Sequence, residues 1–220
     1  MKNLLIYIGR NKGFDKEHKD LTEMQIDNSL DLGWKIEDII LVTNFPYGYK
    51  GVNSYVVEDC LYSANGFVRS SKIPAILQLF KDGMIEDLYW FHDHDAFQLE
   101  PMVDPELGTA VAGFINHDKL WNAGSFFFTK SSQDIFQRIL ECMDDKGIDE
   151  QDALTYLMNN KLVTGYKLLD STYDIGIYNV DTSKPVLVAH FHPHKKRHLD
   201  LFRNLLPERL MKIYERYGIK

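Results

Sequence analysis

Two aspartates separated by one residue, Asp93 and Asp95, follow the apolar run Leu88, Tyr89, Trp90, Phe91. In an extended segment, side chains two apart point to the same side, so these carboxylates are expected to share a face. So close together they repel, and a divalent cation relieves the repulsion. Hard oxygen ligands suit Mn2+ or Mg2+, with the remaining positions left to water or phosphate oxygens. Such an ion would neutralise a diphosphate and steady it as a leaving group. The plainer reading is a strand end whose aspartates cap the next turn. Further along, His190, His192 and His194 alternate, and in an extended segment they too would share a face and could bind metal.

Periodicity supplies the elements that would hold these groups. Residues 3–8 form a short apolar strand ending in the polar loop Gly9–Gly13, and residues 16–32 have helical character with Gly33 as a stop. Ile39–Val42 is a second strand, closed by Thr43 and Asn44, with a short strand near Ser54–Val57. Ile73, Ile76, Leu77 and Phe80 recur at i, i+3, i+4 and i+7, one face of a helix. Strands are expected at Val111–Ile115, Ser125–Phe128 and Val186–Ala189, and helices around Ile135–Met143 and over 151–159. One C-terminal helix is expected to carry Phe202, Leu205, Leu206 and Leu210. Alternating strands and helices imply crossover units and a mostly parallel sheet. Ligands in such sheets sit beyond the carboxyl ends of the strands, and Asp93 and Asp95 lie at such an end.

Composition narrows the function classes. The 220 residues suit a single α/β domain with enough apolar material for a core. A net charge of −7 is the wrong sign for gripping many phosphates of a nucleic acid. Cys60 and Cys142 lack zinc-site spacing and read as reduced thiols in a cytoplasmic protein. No segment has the length of a membrane span. The last helix, with Arg203, Arg209, Lys212 and Arg216, could rest on a membrane surface, but packing on the domain is expected.

Four segments together resemble the GT-A-fold glycosyltransferases. Tyr89–Asp95 resembles their metal-binding Asp-x-Asp motif, and Trp121–Asn122–Ala123–Gly124 their Asn-Ala-Gly segment, which lines the donor-sugar pocket. Glu150–Gln151–Asp152 resembles the Asp-Gln-Asp segment of glycogenin-like members, and His190 with Lys196 their late His…Lys segment, which completes the metal site and holds phosphate. The chain departs from the pattern at Glu150, at Pro193 in place of a glycine, and at Arg197–His198 after the lysine. The compact size also resembles the short glycosyltransferases that algal viruses, phages and microbes use on capsid or surface glycans. The resemblance implies a GT-A-like three-layer α/β/α sandwich over residues 1–220, with about 1–100 as a nucleotide-binding half and about 101–220 as an acceptor-binding half. It implies a metal-dependent hexosyltransferase-type enzyme moving a sugar from a nucleotide diphosphate, UDP favoured, to a hydroxyl of a glycan or glycoconjugate acceptor.

On that resemblance Asp93 and Asp95 hold Mn2+ or Mg2+, with His190 as third ligand and His192 as the substitute. Asn44 sits where the family reads the nucleotide base, or else caps a turn. Arg10 and Asn11 line the same pocket or are solvated loop residues. Lys72 meets the donor phosphate or ribose, or is an exposed lysine. Asn122 and Gly124 contact the sugar, since an amide can fix hydroxyls and a glycine admits close backbone approach. Lys195 and Lys196 offset diphosphate charge or form a basic surface loop. Glu150 or Asp152 takes the acceptor's proton if the reaction inverts, and Gln151 lies nearer the sugar if it retains. Carboxylates are also favourable at a helix start for structural reasons alone.

Three other readings stand beside this one. A sugar nucleotidyltransferase wants a Gly-rich, Arg-containing loop after the first strand, of which Gly9–Gly13 is a poor version. A zinc or manganese hydrolase would use His92, His94 and Asp95 as part of a His-x-His-x-Asp-His run, but Phe97 stands at a ligand position. A binding module would keep the fold without turnover.

Overall fold

The first strand shows how the layers arise. β1 (Lys2–Tyr7) is buried on both faces: Leu4 and Ile6 enter one apolar cluster, and Leu5 between them enters another. A strand covered on both sides needs helices above and below. The computed structural model, which describes residues 1–58, 60–62, 69–117, 120–177, 180 and 182–219, supplies them. In chain order, α1 (Lys16–Asp31), β2 (Ile39–Thr43), β3 (Gly48–Tyr49), β4 (Val52–Val56), α2 (Lys72–Lys81) and β5 (Tyr89–His92) follow β1. Then come β6 (Ala96–Gln98), β7 (Ala112–His117), β8 (Leu120–Trp121), β9 (Ser125–Phe128), α3 (Gln133–Lys146) and α4 (Glu150–Asn159). The chain closes with β10 (Tyr166–Leu169), β11 (Ile175–Gly176), β12 (Val188–His190), α5 (Lys196–Phe202) and α6 (Glu208–Arg216).

The main sheet has the order β10-β7-β9-β5-β1-β2-β4-β3, with β8 paired to β7. β4, β2, β1 and β5 are mutually parallel, while β9 runs antiparallel between β5 and β7. From β1 the chain passes to β2 on one side and later returns to β5 on the other. Strand order therefore reverses between β1 and β5, the place where an open α/β sheet leaves a crevice at its carboxyl edge. Ile76, Phe136 and Leu154 from α2, α3 and α4 cover one face, and Ile26 of α1 covers the other. The architecture is the expected three-layer α/β/α sandwich with a mostly parallel central sheet.

A second sheet, β11-β12-β6, sits beyond the main one. Its strands are two or three residues long. β12 overlaps the strand expected at Val186–Ala189, whereas β6 and β11, like β3 and β8, are too short for a period to show in sequence, and β10 (Tyr166–Leu169) was not expected. The single C-terminal helix is corrected to two, α5 and α6, separated at Pro207. Its fixed φ of −67° with ψ 149° makes it the cap of α6 rather than a continuation of α5. Leu210, Ile213 and Tyr214 of α6 pack with Leu21 and Met24 of α1, so the apolar stripe of this helix is covered by the domain. Among the described residues no helix is long and apolar enough to cross a membrane.

Candidate active site

β5 delivers the carboxylates, though not as an extended strand. The strand ends at His92, and the N–H of Ala96 donates to the Asp93 carbonyl at 3.0 Å, so residues 93–96 form a tight turn. Convergence of the two side chains comes from this turn and not from strand alternation. The third member arrives from β12. It pairs antiparallel with β6, with His190 opposite Ala96, and the N–H of Phe191 donates to the Asp95 carbonyl at 2.8 Å. Ligand atoms of Asp93, Asp95 and His190 all lie within 4.8 Å of one another.

Each member of this cluster has a second partner. Lys72, the first residue of α2, is 5% exposed and places its ammonium 2.8 Å from Asp93 and 3.2 Å from Glu150. It also donates to the Ala123 carbonyl at 3.0 Å. Burial alone would lower its pKa, but the Asp93 and Glu150 carboxylates raise it overall. Glu150, 3% exposed, accepts from the Ser70 hydroxyl. Burial would raise this carboxyl, yet Lys72 and then Ser70 hold it below its usual range. Asp93 is raised by burial against the pull of Lys72. For Asp95 the balance is opposite: burial would raise it, but the His190 ring holds it well below the usual carboxylate range. His190 lies 3.1 Å from Asp95 through Nε2 and 3.3 Å from Asp174 through Nδ1. Burial would lower its pKa, and the two carboxylates raise it well above ordinary.

The residues fit a divalent cation. Four carboxylates (Asp93, Asp95, Glu150 and Asp174) face two cationic groups (Lys72 and His190), and Asp174 Oδ1 is buried without a partner. Two carboxylates and an imidazole are a sound donor set for such an ion. Gly124 leaves room for it. A Cβ there would strike the His190 ring and come within 2.9 Å of Asp93 Oδ2, and the Gly124 carbonyl accepts from the Asp93 N–H at 2.7 Å.

A cleft of about 990 Å³ opens at this point, lined by Arg10, Asn11, Lys72, Asp93, Asp95, Gly124, Glu150, Gln151, His190 and His192 among others. Tyr7, Phe14 and His18 form an aromatic wall on the β1 side, with Tyr7 and Phe14 ring centroids 4.6 Å apart. The remaining expected residues are placed as follows. Asn44 turns both ends of its amide to Gly9, accepting from its N–H at 2.9 Å and donating to its carbonyl at 2.8 Å. Asn122 accepts from the Gly124 N–H at 2.6 Å and donates to Asp174. Asp152 is exposed on the first turn of α4. Lys196 is 78% exposed and pairs with Asp200 at 2.7 Å, because the chain turns after His192. That turn also takes His194 out of line with His190, and His192 pairs instead with Glu17 at 2.6 Å. The exposed-lysine reading of Lys72 is overturned by its burial. Asp174 and Ser70 carried no recognisable pattern; each reaches the site through tertiary pairing alone.

The hydrolase reading fails on His92. Its ring is fully buried, stacked 4.0 Å from Trp90, with Nε2 2.8 Å from Asn3 Oδ1 and Nδ1 3.1 Å from the Asp93 carbonyl oxygen, so both ring nitrogens are engaged within the protein. Burial pushes His92 and His94 down to about 3. A histidine depressed in the folded state contributes stability above pH 6.5, and that stability is lost as pH falls toward 3. At pH 5 the loss should be on the order of 2 kcal/mol per histidine. Urea midpoints at pH 7 and pH 5 should show it, and His92→Gln should flatten the difference. An unchanged pH dependence in that variant would refute the assignment.

No protein-family model matches the chain, and no curated protein matches its sequence. Solved structures do match. A glycosyltransferase involved in glycosylation of the major capsid of PBCV-1 superposes with a TM-score of 0.58 at 10% identity, covering 98% of both chains. The glycosyltransferase GlyE of Streptococcus pneumoniae TIGR4 gives 0.60 at 13% identity, over 99% of this chain and 63% of that one. The galactosyltransferase LgtC, in complex with donor and acceptor sugar analogs, gives 0.55 at 14% identity over 97% and 100% of the two chains. Likeness at these identities speaks for architecture, and the architecture is that of the GT-A glycosyltransferases.

Proposed function

We propose that this protein is a metal-dependent glycosyltransferase that moves a sugar from a nucleotide diphosphate, UDP favoured, to a hydroxyl of a glycan or glycoconjugate. The observation that carries the reading is the convergence of Asp93, Asp95 and His190 on an open cleft at the strand-order reversal of a GT-A fold. These three residues would hold Mn2+ or Mg2+, which when bound supplies the charge that neutralises the departing diphosphate. Residues of the first hundred bind the nucleotide: the Tyr7–Phe14 wall offers a flat surface for a base, and Arg10 and Asn11 line the same end. Lys72 keeps a fixed positive charge beside Asp93. Gly124 admits the donor's sugar end close to the backbone, and Gln151, which lines the cleft, is assigned to the sugar face if the reaction retains configuration. Glu150, held ionised by Lys72 and Ser70, has a weakened proton affinity and so orients Lys72. Asp152, exposed on the same turn, is assigned to the acceptor side. Both cysteines are buried and not joined in a disulfide, which fits a reducing compartment, and we assign the protein to the cytoplasm.

Thermal unfolding with UDP, GDP and CMP, each with and without Mn2+, tests the proposal. UDP with Mn2+ at a hundredfold excess over Kd should raise the midpoint by roughly 5–10 °C, and UDP alone by much less. If no nucleotide diphosphate shifts the midpoint in a metal-dependent way, the assignment is wrong.

A further inference from the structure

Asp174 is the least explained charge in the molecule. It is fully buried, at the end of a short turn just before β11. A lone carboxylate in such a place is costly unless something uses its charge. Its Oδ1 has no hydrogen-bond partner. Its Oδ2 accepts from the Asn122 amide and faces His190 Nδ1 at 3.3 Å. A neutral amide in place of the carboxylate could satisfy Asn122 equally well, so His190 is the partner that makes use of the charge.

We infer that Asp174 is a positioning residue for the metal site. It fixes the His190 ring with Nδ1 as donor and Nε2 as the metal-facing nitrogen. The inference rests on the proposed function and deepens it, since the cation is that of the same site. Three features support the assignment. Nε2, not Nδ1, is the nitrogen directed at Asp95, 3.1 Å away. β11 pairs parallel with β12, with Gly176 opposite His190, and Asp174 lies two residues before Gly176 on the same face. Asn122 then links Asp174 to the N–H of Gly124, the residue whose missing side chain leaves room beside His190 and Asp93. A carboxylate accepting the far N–H of a ligating imidazole fixes its tautomer and raises its basicity, and losing one typically costs 10–100-fold in metal affinity.

The test is Mn2+ binding to the full chain without any donor, read by the loss of the free-Mn2+ electron paramagnetic resonance signal. Asp174→Asn should weaken binding at least about tenfold, and Asp174→Ala further, toward about a hundredfold. Val163→Ala, in the core away from the cleft, should lower the thermal midpoint and leave Mn2+ affinity unchanged, which separates lost stability from lost positioning. If Asp174→Ala does not fold, the asparagine variant decides. Parent-like Mn2+ affinity in folded Asp174→Asn overturns the inference while leaving the proposed function standing. Failure of the unaltered protein to bind Mn2+ overturns both.

Discussion

Asp95→Asn should cut sugar transfer about a thousandfold, corresponding to about 4 kcal/mol in the barrier, and abolish the Mn2+-dependent part of nucleotide binding. Asparagine keeps the size of the side chain and removes the charge that both His190 and a cation would share. Asp95 is about one-third exposed, so the metal-free thermal midpoint should fall far less than the activity does. Measured turnover with UDP-sugars against Mn2+ concentration checks this. Turnover within fivefold of the parent, at the same Mn2+ requirement, would remove Asp95 from the site.

The second large effect is on stability. Lys72 and Glu150 are both nearly inaccessible, and taking away one partner of a buried pair leaves the other charge uncompensated. Lys72→Met should therefore destabilise the fold by about 3 kcal/mol, the lower end for such pairs because Asp93 keeps some contact with water. For a chain of this size that is roughly 6–12 °C in thermal midpoint. The pH dependence has a definite sign. Asp93 is already raised by burial, and without Lys72 it is raised further. A carboxyl raised in the folded state weighs most against folding above its folded pKa, and that burden eases as pH falls through it. The deficit of Lys72→Met relative to the parent should therefore shrink between pH 7 and pH 5. A deficit that grows on acidification would show that Lys72 is not there to balance Asp93 and Glu150.

Legibility in the sequence followed the length of each signal. The helix bearing Ile73, Ile76 and Phe80, and the strands around Leu5, Leu41, Trp90 and Phe127, announce themselves because burial on a known face repeats over a full element. Asp93 and Asp95 were readable because they stand at the end of such an element, and His190 because it belonged to a spaced set. The geometry joining them was less so: a turn at 93–96 cannot be told from an extended strand by residue type alone. Asp174 and Ser70 belong to no period and no motif. Lys72 looked like either a ligand-facing or a solvent-facing lysine, and only the arrival of Glu150 from 78 residues away makes it a buried one. The phosphate role of Lys196 came from the resemblance alone, and in the fold its ammonium pairs with Asp200.

The small β11-β12-β6 sheet has a consequence for biosynthesis. Asp95 and His190 are 95 positions apart, and the histidine strand can dock only after the residues between them have left the ribosome. Arg209 of α6 reaches Asn28 on α1 and the carbonyl of Leu99, tying a later helix back onto an earlier one. A nascent polypeptide halted after β6 would carry both aspartates of the cluster and lack its histidine. The group of two carboxylates and one imidazole is thus completed in a single late docking step.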